Sequence, residues 1–475
     1  MTPPPPVRAF AAVDLGATSG RVMIGRVGGD RLDLEQVARF PNGPVEREDG
    51  LHWDFEALAE HVIDGLAEAV RREPAIESIG IDTWAVDYGL LRDDALLAEP
   101  FHYRDARTAR GVEAVHARIP FSDLYARNGL QFLTFTSLYQ FAADERAADA
   151  DTVLLVPDLL AHRLTGARVA ERTNASTTGL LRVHDREWDV ALAETIGLRP
   201  ALLPALVEPG ERIGRLRPEL ATRIGADLPV VAVGSHDTAS AVVAAPLASP
   251  DSAYISCGTW GLVGVELAAP VLTEEARAAG FTHELGVDGR IRFLHNVTGL
   301  WLLSETLRTW EAEDGAPIDL PALLQAAAAA AAPAVLFDTE DPSLGTPGDM
   351  PARIAALVRA TGEEAPGDRA GFARMIVASI ARAFADAVRA AASLSGRSLD
   401  AIDLIGGGAL NALLCQETAD RTGLPVLAGP VEATALGNVL VQARAAGVFG
   451  RDASLEELRD VVLRTHPPVR YAPRP

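Results

Sequence analysis

Apolar and polar positions alternate along the chain in two periods, and the periods change places repeatedly. The apolar run at 10–13 leads through Asp14 into a glycine turn. Residues 22–27 and 32–40 then read as antiparallel strands joined across Gly28-Gly29-Asp30. Helical spacing follows over 54–72, with Asp54 as its N-cap, and a strand over 76–82. Alternating patterns continue to 228–234, a run apolar enough to be buried on both faces, then a helix over 238–245. Pro246 to Pro250 reads as a hinge-like break. The second half restarts with the run 253–256, followed by another glycine turn. It continues with an alanine-rich helix over 326–332, a long amphipathic helix over 371–395 and a strand over 402–405. Gly406-Gly407-Gly408, a helix from Asn411, a strand over 424–428 and a helix after Glu432 complete it. Strands that each run into a glycine turn predict an α/β protein with ligands at strand C-terminal ends. A chain of 475 residues is too long for one core, and residues 1–245 and 246–475 are the expected domains.

The two glycine turns echo each other. Asp14-Leu15-Gly16-Ala17-Thr18-Ser19-Gly20-Arg21 follows the first strand, and Ile255-Ser256-Cys257-Gly258-Thr259-Trp260 follows its counterpart half a chain later. A glycine there lets backbone N–H groups point inward and form a nest for phosphate oxygens. Two nests in two similar halves suggest a bound nucleotide polyphosphate and a phosphotransferase.

Composition narrows the chemistry. The net charge of −22 argues against nucleic acid and anionic membrane as partners. No apolar stretch reaches bilayer-spanning length, and Met1 to Arg8 is a proline-rich tail without signal-peptide features, so a cytoplasmic protein is expected. The two cysteines, Cys257 and Cys415, give no disulfide framework or zinc spacing. In such a protein the glycosylation sequons at Asn174 and Asn296 are chance matches. All 43 basic residues are arginine. The absence of lysine excludes Walker P-loop enzymes, protein kinases, Schiff-base enzymes and pyridoxal enzymes.

Several residues then become candidates for chemistry. Asp14, at a strand end beside a nest, suits a Mg²⁺ ion directly or through water, or simply forms the turn. Thr18, Ser19 and Arg21 supply hydroxyls and a permanent cation. Ser235-His236-Asp237 precedes a helix, where Ser and Asp are ordinary caps. The same place would keep an Asp237 carboxylate ionised and able to take a proton from a hydroxyl. Asn296 reads as a helix cap or a substrate contact. Ile81 to Asp87 and Tyr103 to Arg107 cluster acids, arginines and rings, as a polyol pocket does; surface ion pairs are the alternative for Arg104, Asp105 and Arg107.

Together these segments resemble the FGGY family of carbohydrate kinases, over about residues 10–465. Residues 14–21 and 256–260 resemble its two phosphate motifs, and Leu404-Ile405-Gly406-Gly407-Gly408-Ala409-Leu410-Asn411 its adenosine motif. Gly80-Ile81-Asp82-Thr83-Trp84, Gly129-Leu130-Gln131-Phe132, Ser137-Leu138-Tyr139-Gln140 and Thr173 to Thr178 resemble the branch that acts on L-rhamnulose. So do Ser235 to Ser240 and Gly429 to Thr434. The resemblance implies two duplicated actin-like, ribonuclease H-like domains with ATP and Mg²⁺ in a cleft. It implies transfer of the γ-phosphate to the 1-hydroxyl of L-rhamnulose. By matching position, Asp237 would be the base, with His236, Thr238 and Asn296 on the sugar. Ala17, Thr18, Ser19, Gly20, Arg21, Thr259 and Gly407 would contact nucleotide, and Asp14 the metal. Two residues depart from the pattern. Ala85 replaces a glycine beside the sugar, and Ser304 replaces a glutamine near the nucleotide. Ala85 leaves open another ketose, such as L-fuculose or L-xylulose. An actin-like ATPase that binds partners instead of phosphorylating sugar is the remaining alternative.

Overall fold

The computed structural model describes residues 7–247 and 249–474. It divides into two compact units, each assembled from separate stretches of chain. The first comprises Met1–Ala244, Leu267–Phe293 and Ala433–Thr465. Its central sheet contains β1 (Arg8–Leu15), β2 (Ser19–Gly28), β3 (Arg31–Pro41), β4 (Ile76–Thr83), β5 (Arg212–Arg215) and β6 (Pro229–Val231), ordered β5-β6-β4-β1-β2-β3. β1, β2 and β3 form an antiparallel meander. β4 adds parallel to β1, β6 parallel to β4, and β5 antiparallel to β6.

β1 is buried almost throughout, as expected of a strand covered on both faces. Two glycines let helices approach β2 closely. A Cβ on Gly65, in helix Phe55–Arg72, would lie 2.6 Å from Val22. A Cβ on Gly25, which alternates to the other face, would lie 2.3 Å from Val439 in helix Ala433–Ala445. Asp54 caps helix Phe55–Arg72 by accepting from the Ala57 amide at 3.2 Å, as its sequence predicts.

The second unit comprises Ala245–Glu266, Leu294–Glu432 and His466–Pro475. Its seven-stranded sheet uses β7 (Ser252–Cys257), β8 (Trp260–Leu267), β9 (Ile291–Thr298), β10 (Ala401–Ile405), β11 (Val426–Ala428) and β12 (Val469–Tyr471), ordered β9-β8-β7-β10-β11-β12, with the short strand Thr282–Leu285 at the edge beside β9. The connections repeat those of the first unit. β7 and β8 form an antiparallel hairpin, β10 adds parallel to β7, β11 parallel to β10, and β12 antiparallel to β11. This internal duplication is what the paired glycine turns predict.

Some expected bounds change. The alanine-run helix is Leu320–Ala329, so Ala330 to Ala332 leave it ahead of Pro333, which disfavours helix in the preceding residue. The buried strand expected over 228–234 shortens to β6, because Ala232 pairs instead with Gly210 and Glu211. Of the proline-rich tail, residues 1–6 lie outside the described residues, and Arg8 already begins β1. Residue 248 of the expected break is also outside them.

Candidate active site

In the first unit, β1 and β4 carry Asp14 and Asp82 to adjacent register positions. Asp14 is paired with Arg21 from β2. Asp82 is fully buried and accepts from Asn438 Nδ2 at 2.5 Å, while its Oδ1 has no hydrogen-bond partner among the described residues. Burial, reinforced by the Asp14 charge, pushes the Asp82 carboxyl well above the usual range. Nothing local in the sequence singles out Asp82, because a single acid at a strand end has many ordinary uses.

The turn between β1 and β2 is closed by the Gly16 amide on the Ser19 carbonyl at 2.9 Å and by Asn42 Nδ2 on the Gly16 carbonyl at 2.8 Å. Ala17, Thr18 and Ser19 stand on this partly exposed turn. Gly20 instead lies inside β2, where a Cβ would strike the Phe40 ring at 2.2 Å. Its glycine is explained by packing.

Asp237 opens helix Asp237–Val243, with His236 at the N-cap position and no side-chain cap bond there. The cap reading of Ser235 and Asp237 therefore fails. The Ser235 hydroxyl and amide both donate to Glu171 Oε2, at 2.7 and 2.9 Å. Asp237 Oδ1 accepts from the Thr238 amide at 2.5 Å and its hydroxyl at 3.1 Å, and lies 3.4 Å from His236 Nε2. Its side chain is 32% exposed, against 7% for Asp14, so Asp237 is the more open acid.

Glu171 is the anchor that sequence reading misses. Wholly buried, it also accepts from Thr173 and from the amides of Thr173 and Asn174. Asn174 Nδ2 in turn lies 3.3 Å from the Ser235 carbonyl, and the Thr83 amide donates to that carbonyl at 2.9 Å. The end of β4, the turn after Glu171 and the segment 235–237 are thereby locked together.

Next to them the chain runs Trp84-Ala85-Val86-Asp87. Val86 has φ 69°, a strained conformation for a β-branched residue, held by Ser137 Oγ on its carbonyl at 2.6 Å. Buried Asp87 accepts from Trp53 Nε1 (2.6 Å), Trp84 Nε1 (3.1 Å), Gln140 Nε2 (2.9 Å) and the Tyr103 amide (3.2 Å). Burial outweighs these donors and raises its carboxyl to about 6. Asp105 and Arg107 side chains are only 9% and 7% exposed, which rules out surface pairing for both. Arg107 donates to Gln140 Oε1 at 3.0 Å, so these residues brace the aromatic wall beside Ala85.

Buried His283 fixes another segment named by its sequence. Its Nδ1–H donates to the Gly129 carbonyl at 2.9 Å and its Nε2 accepts from the Val271 amide at 2.9 Å. Burial lowers its pKa to about 4. Below the unfolded value near 6.5 the unfolded chain takes up a proton that the folded chain refuses. Stability is thus expected to fall by about 3 kcal/mol as pH drops from about 6.5 to about 4. His283→Gln should flatten that slope in urea unfolding at pH 7 and pH 5. An unchanged slope would assign the titration to another group.

In the second unit, Gly258 and Thr259 form an exposed turn after β7. The Gly258 carbonyl accepts from the Leu300 amide at 3.0 Å, and the Thr259 carbonyl from the Gly299 and Trp301 amides at 3.2 Å each. A Cβ on Gly299 would lie 2.7 Å from the Trp260 backbone, so only glycine allows this approach. Ser304 sits exposed one turn into helix Trp301–Asp314. Gly408 packs on Cys257, whose Sγ would be 2.4 Å from a Cβ there, while Gly407 faces open space. Thr259, Gly407 and the helix bearing Ser304 therefore gather at one end of β7. Asn411 caps helix Ala412–Thr422 through the Leu414 amide at 3.1 Å. Asn296 lies within β9 and Leu300 takes the cap position, which excludes the cap reading of Asn296.

Comparison with known proteins agrees with this architecture. The N-terminal domain of the FGGY family of carbohydrate kinases matches residues 9–244, and its C-terminal domain residues 253–446. A rhamnulokinase from Bacteroides thetaiotaomicron is 41% identical over 469 residues, 97% of this chain and 96% of that protein. A rhamnulokinase from Pectobacterium carotovorum is 40% identical over 476 residues, 98% of this chain and 94% of that one. The crystal structure of a xylulose kinase from Lactobacillus acidophilus superposes with a TM-score of 0.81 at 17% identity, covering 98% of this chain and 94% of the other. That likeness shows the two-domain fold. No helix among the described residues is long and apolar enough to cross a membrane.

Proposed function

The chain belongs to the FGGY family of carbohydrate kinases, and we propose that it is a cytoplasmic enzyme transferring the γ-phosphoryl group of ATP to the 1-hydroxyl of L-rhamnulose. The observation that carries this reading is the placement of Asp237: half-open, beside His236, on a segment locked by a buried glutamate. Its support from outside the site is the near full-length similarity to two rhamnulokinases.

In this reading the sugar O1–H gives its proton to the Asp237 carboxylate as O1 bonds to the γ-phosphorus. The bond from that phosphorus to the bridging oxygen breaks, and ADP departs with the electron pair. Thr238 steadies Asp237 Oδ1 through its amide and hydroxyl. The first unit offers His236, Thr238 and the wall at Ala85 to the sugar, and the second offers Asn296. The first unit offers Ala17, Thr18, Ser19 and Arg21 to the nucleotide, and the second offers Thr259, Ser304 and Gly407. Gly20 supports that turn from inside β2.

The donor set at Asp14 fits a divalent cation. Two acids lie in register, and one buried Asp82 oxygen has no hydrogen-bond partner among the described residues. No group of three His, Cys, Asp or Glu gathers at metal distance among the described residues. A Mg²⁺ ion near Asp14 would therefore complete its shell with water and phosphate, and when bound it neutralises phosphate charge.

The test is ADP release from Mg-ATP with L-rhamnulose and a panel of other ketoses. L-rhamnulose is expected to give the highest kcat/KM. A higher value for L-fuculose or L-xylulose would move the specificity to the second reading, which Ala85 in the strained Trp84–Asp87 turn favours. ATP hydrolysis indifferent to every sugar would overturn the proposal.

A further inference from the structure

Two charged side chains stand in buried stretches of strand against His236. Glu284 belongs to strand Thr282–Leu285 and Arg292 to β9. Arg292 is wholly buried. Its Nη2 lies 2.9 Å from His236 Nδ1 and 2.9 Å from Glu284 Oε2, and its Nε donates to the Leu285 carbonyl at 3.3 Å. Glu284 Oε2 is 3.2 Å from the same Nδ1. On the opposite side of the ring, Nε2 is 3.4 Å from Asp237 Oδ1.

A guanidinium offers donors only and no lone pair. An Arg292–His236 hydrogen bond between these nitrogens requires Nδ1 to accept, so the ring proton resides on Nε2. Glu284 alone would favour the reverse, because a carboxylate 3.2 Å away draws a proton onto Nδ1. We propose that Arg292 and Glu284 are positioning residues that hold His236 as the neutral Nε2–H tautomer, with its one N–H aimed at Asp237 and the sugar. Arg292 does this twice, by donating to Nδ1 and by neutralising Glu284. The Nδ1–H tautomer would set a ring lone pair against the Asp237 carboxylate. An imidazolium would place a positive charge beside the base and weaken it as a proton acceptor.

The sugar role of His236 comes from the kinase reading, but the tautomer is readable without sugar. Side-chain ¹⁵N correlation spectra of the full chain, labelled at histidine, should show Nε2–H and a bare Nδ1 for His236. Arg292→Met should move the proton to Nδ1 and lower kcat/KM roughly ten- to a hundredfold. Adding Glu284→Gln to that variant should restore Nε2–H and recover part of the loss, because the new carboxamide donates to Nδ1. Glu284→Gln alone should leave the tautomer unchanged. An Nδ1–H or imidazolium signal in the wild-type protein at pH 7 overturns the proposal, and needs no variant to fold. So does an Arg292→Met protein that loses turnover with the tautomer unmoved. Absence of ketose-dependent ADP release would sink the kinase reading and leave the tautomer result standing.

Discussion

Asp237→Asn is expected to lower kcat by about a hundred- to ten-thousandfold, with little change in unfolding temperature. The substitution keeps the size of the side chain and one oxygen for the Thr238 amide and hydroxyl. It removes the capacity to accept a proton at neutral pH. The other acids nearby are poorly suited to replace it. Asp14 is tied to Arg21 and nearly buried, and Asp82 is wholly buried with its carboxyl pushed upward by burial and by Asp14. A proton taken by either would have to leave through protein. Asp237 exchanges with solvent or product directly, as its exposure allows. The measurement is steady-state ADP release with saturating ketose, beside thermal unfolding of the same sample. Near wild-type turnover from a folded Asp237→Asn protein would remove Asp237 as the base.

Which parts of this site were legible beforehand follows from what a local pattern encodes. The meander β1–β3, the Asp54 cap and the repeated strand–turn units depend on neighbours within a few residues, and their periodicity carries them. The two glycine turns are visible for the same reason. The cap reading of Asn296 fails because a short apolar run before a helix does not distinguish strand from first turn. Ser235 and Asp237 looked like caps because composition alone cannot say where a hydroxyl points. The answer lies in Glu171, far along the chain, to which Ser235 donates. Glu284 and Arg292 leave a fainter trace: opposite charges eight residues apart, each next to large apolar residues (Leu285; Ile291 and Phe293), which satisfy one another only where the two strands meet. Asn438 reaches Asp82 from the last third of the chain, a contact no local spacing foretells.

Glu171→Ala is expected to produce the largest loss of stability among substitutions near the site, on the order of 3–5 kcal/mol. The carboxylate accepts from the amides of Thr173, Asn174 and Ser235 and from the hydroxyls of Thr173 and Ser235. Alanine leaves all five donors without this acceptor in a space closed to solvent. It also opens a cavity, although the burial cost of the carboxylate itself, which raises its pKa, is relieved and offsets part of the loss. Glu171→Gln separates the two effects. Its single oxygen can serve the Ser235 pair, but its amide group then faces the Thr173 amide, donor against donor. A smaller destabilisation than for alanine is expected, together with a fall in kcat as segment 235–237 loosens. Urea unfolding gives the first quantity and ADP release the second. If Glu171→Ala unfolds within about 1 kcal/mol of the wild type, the anchoring role is wrong, since ordinary surface substitutions already span about half that range. If Glu171→Gln keeps full turnover despite lost stability, Glu171 holds the fold without setting the geometry of Asp237.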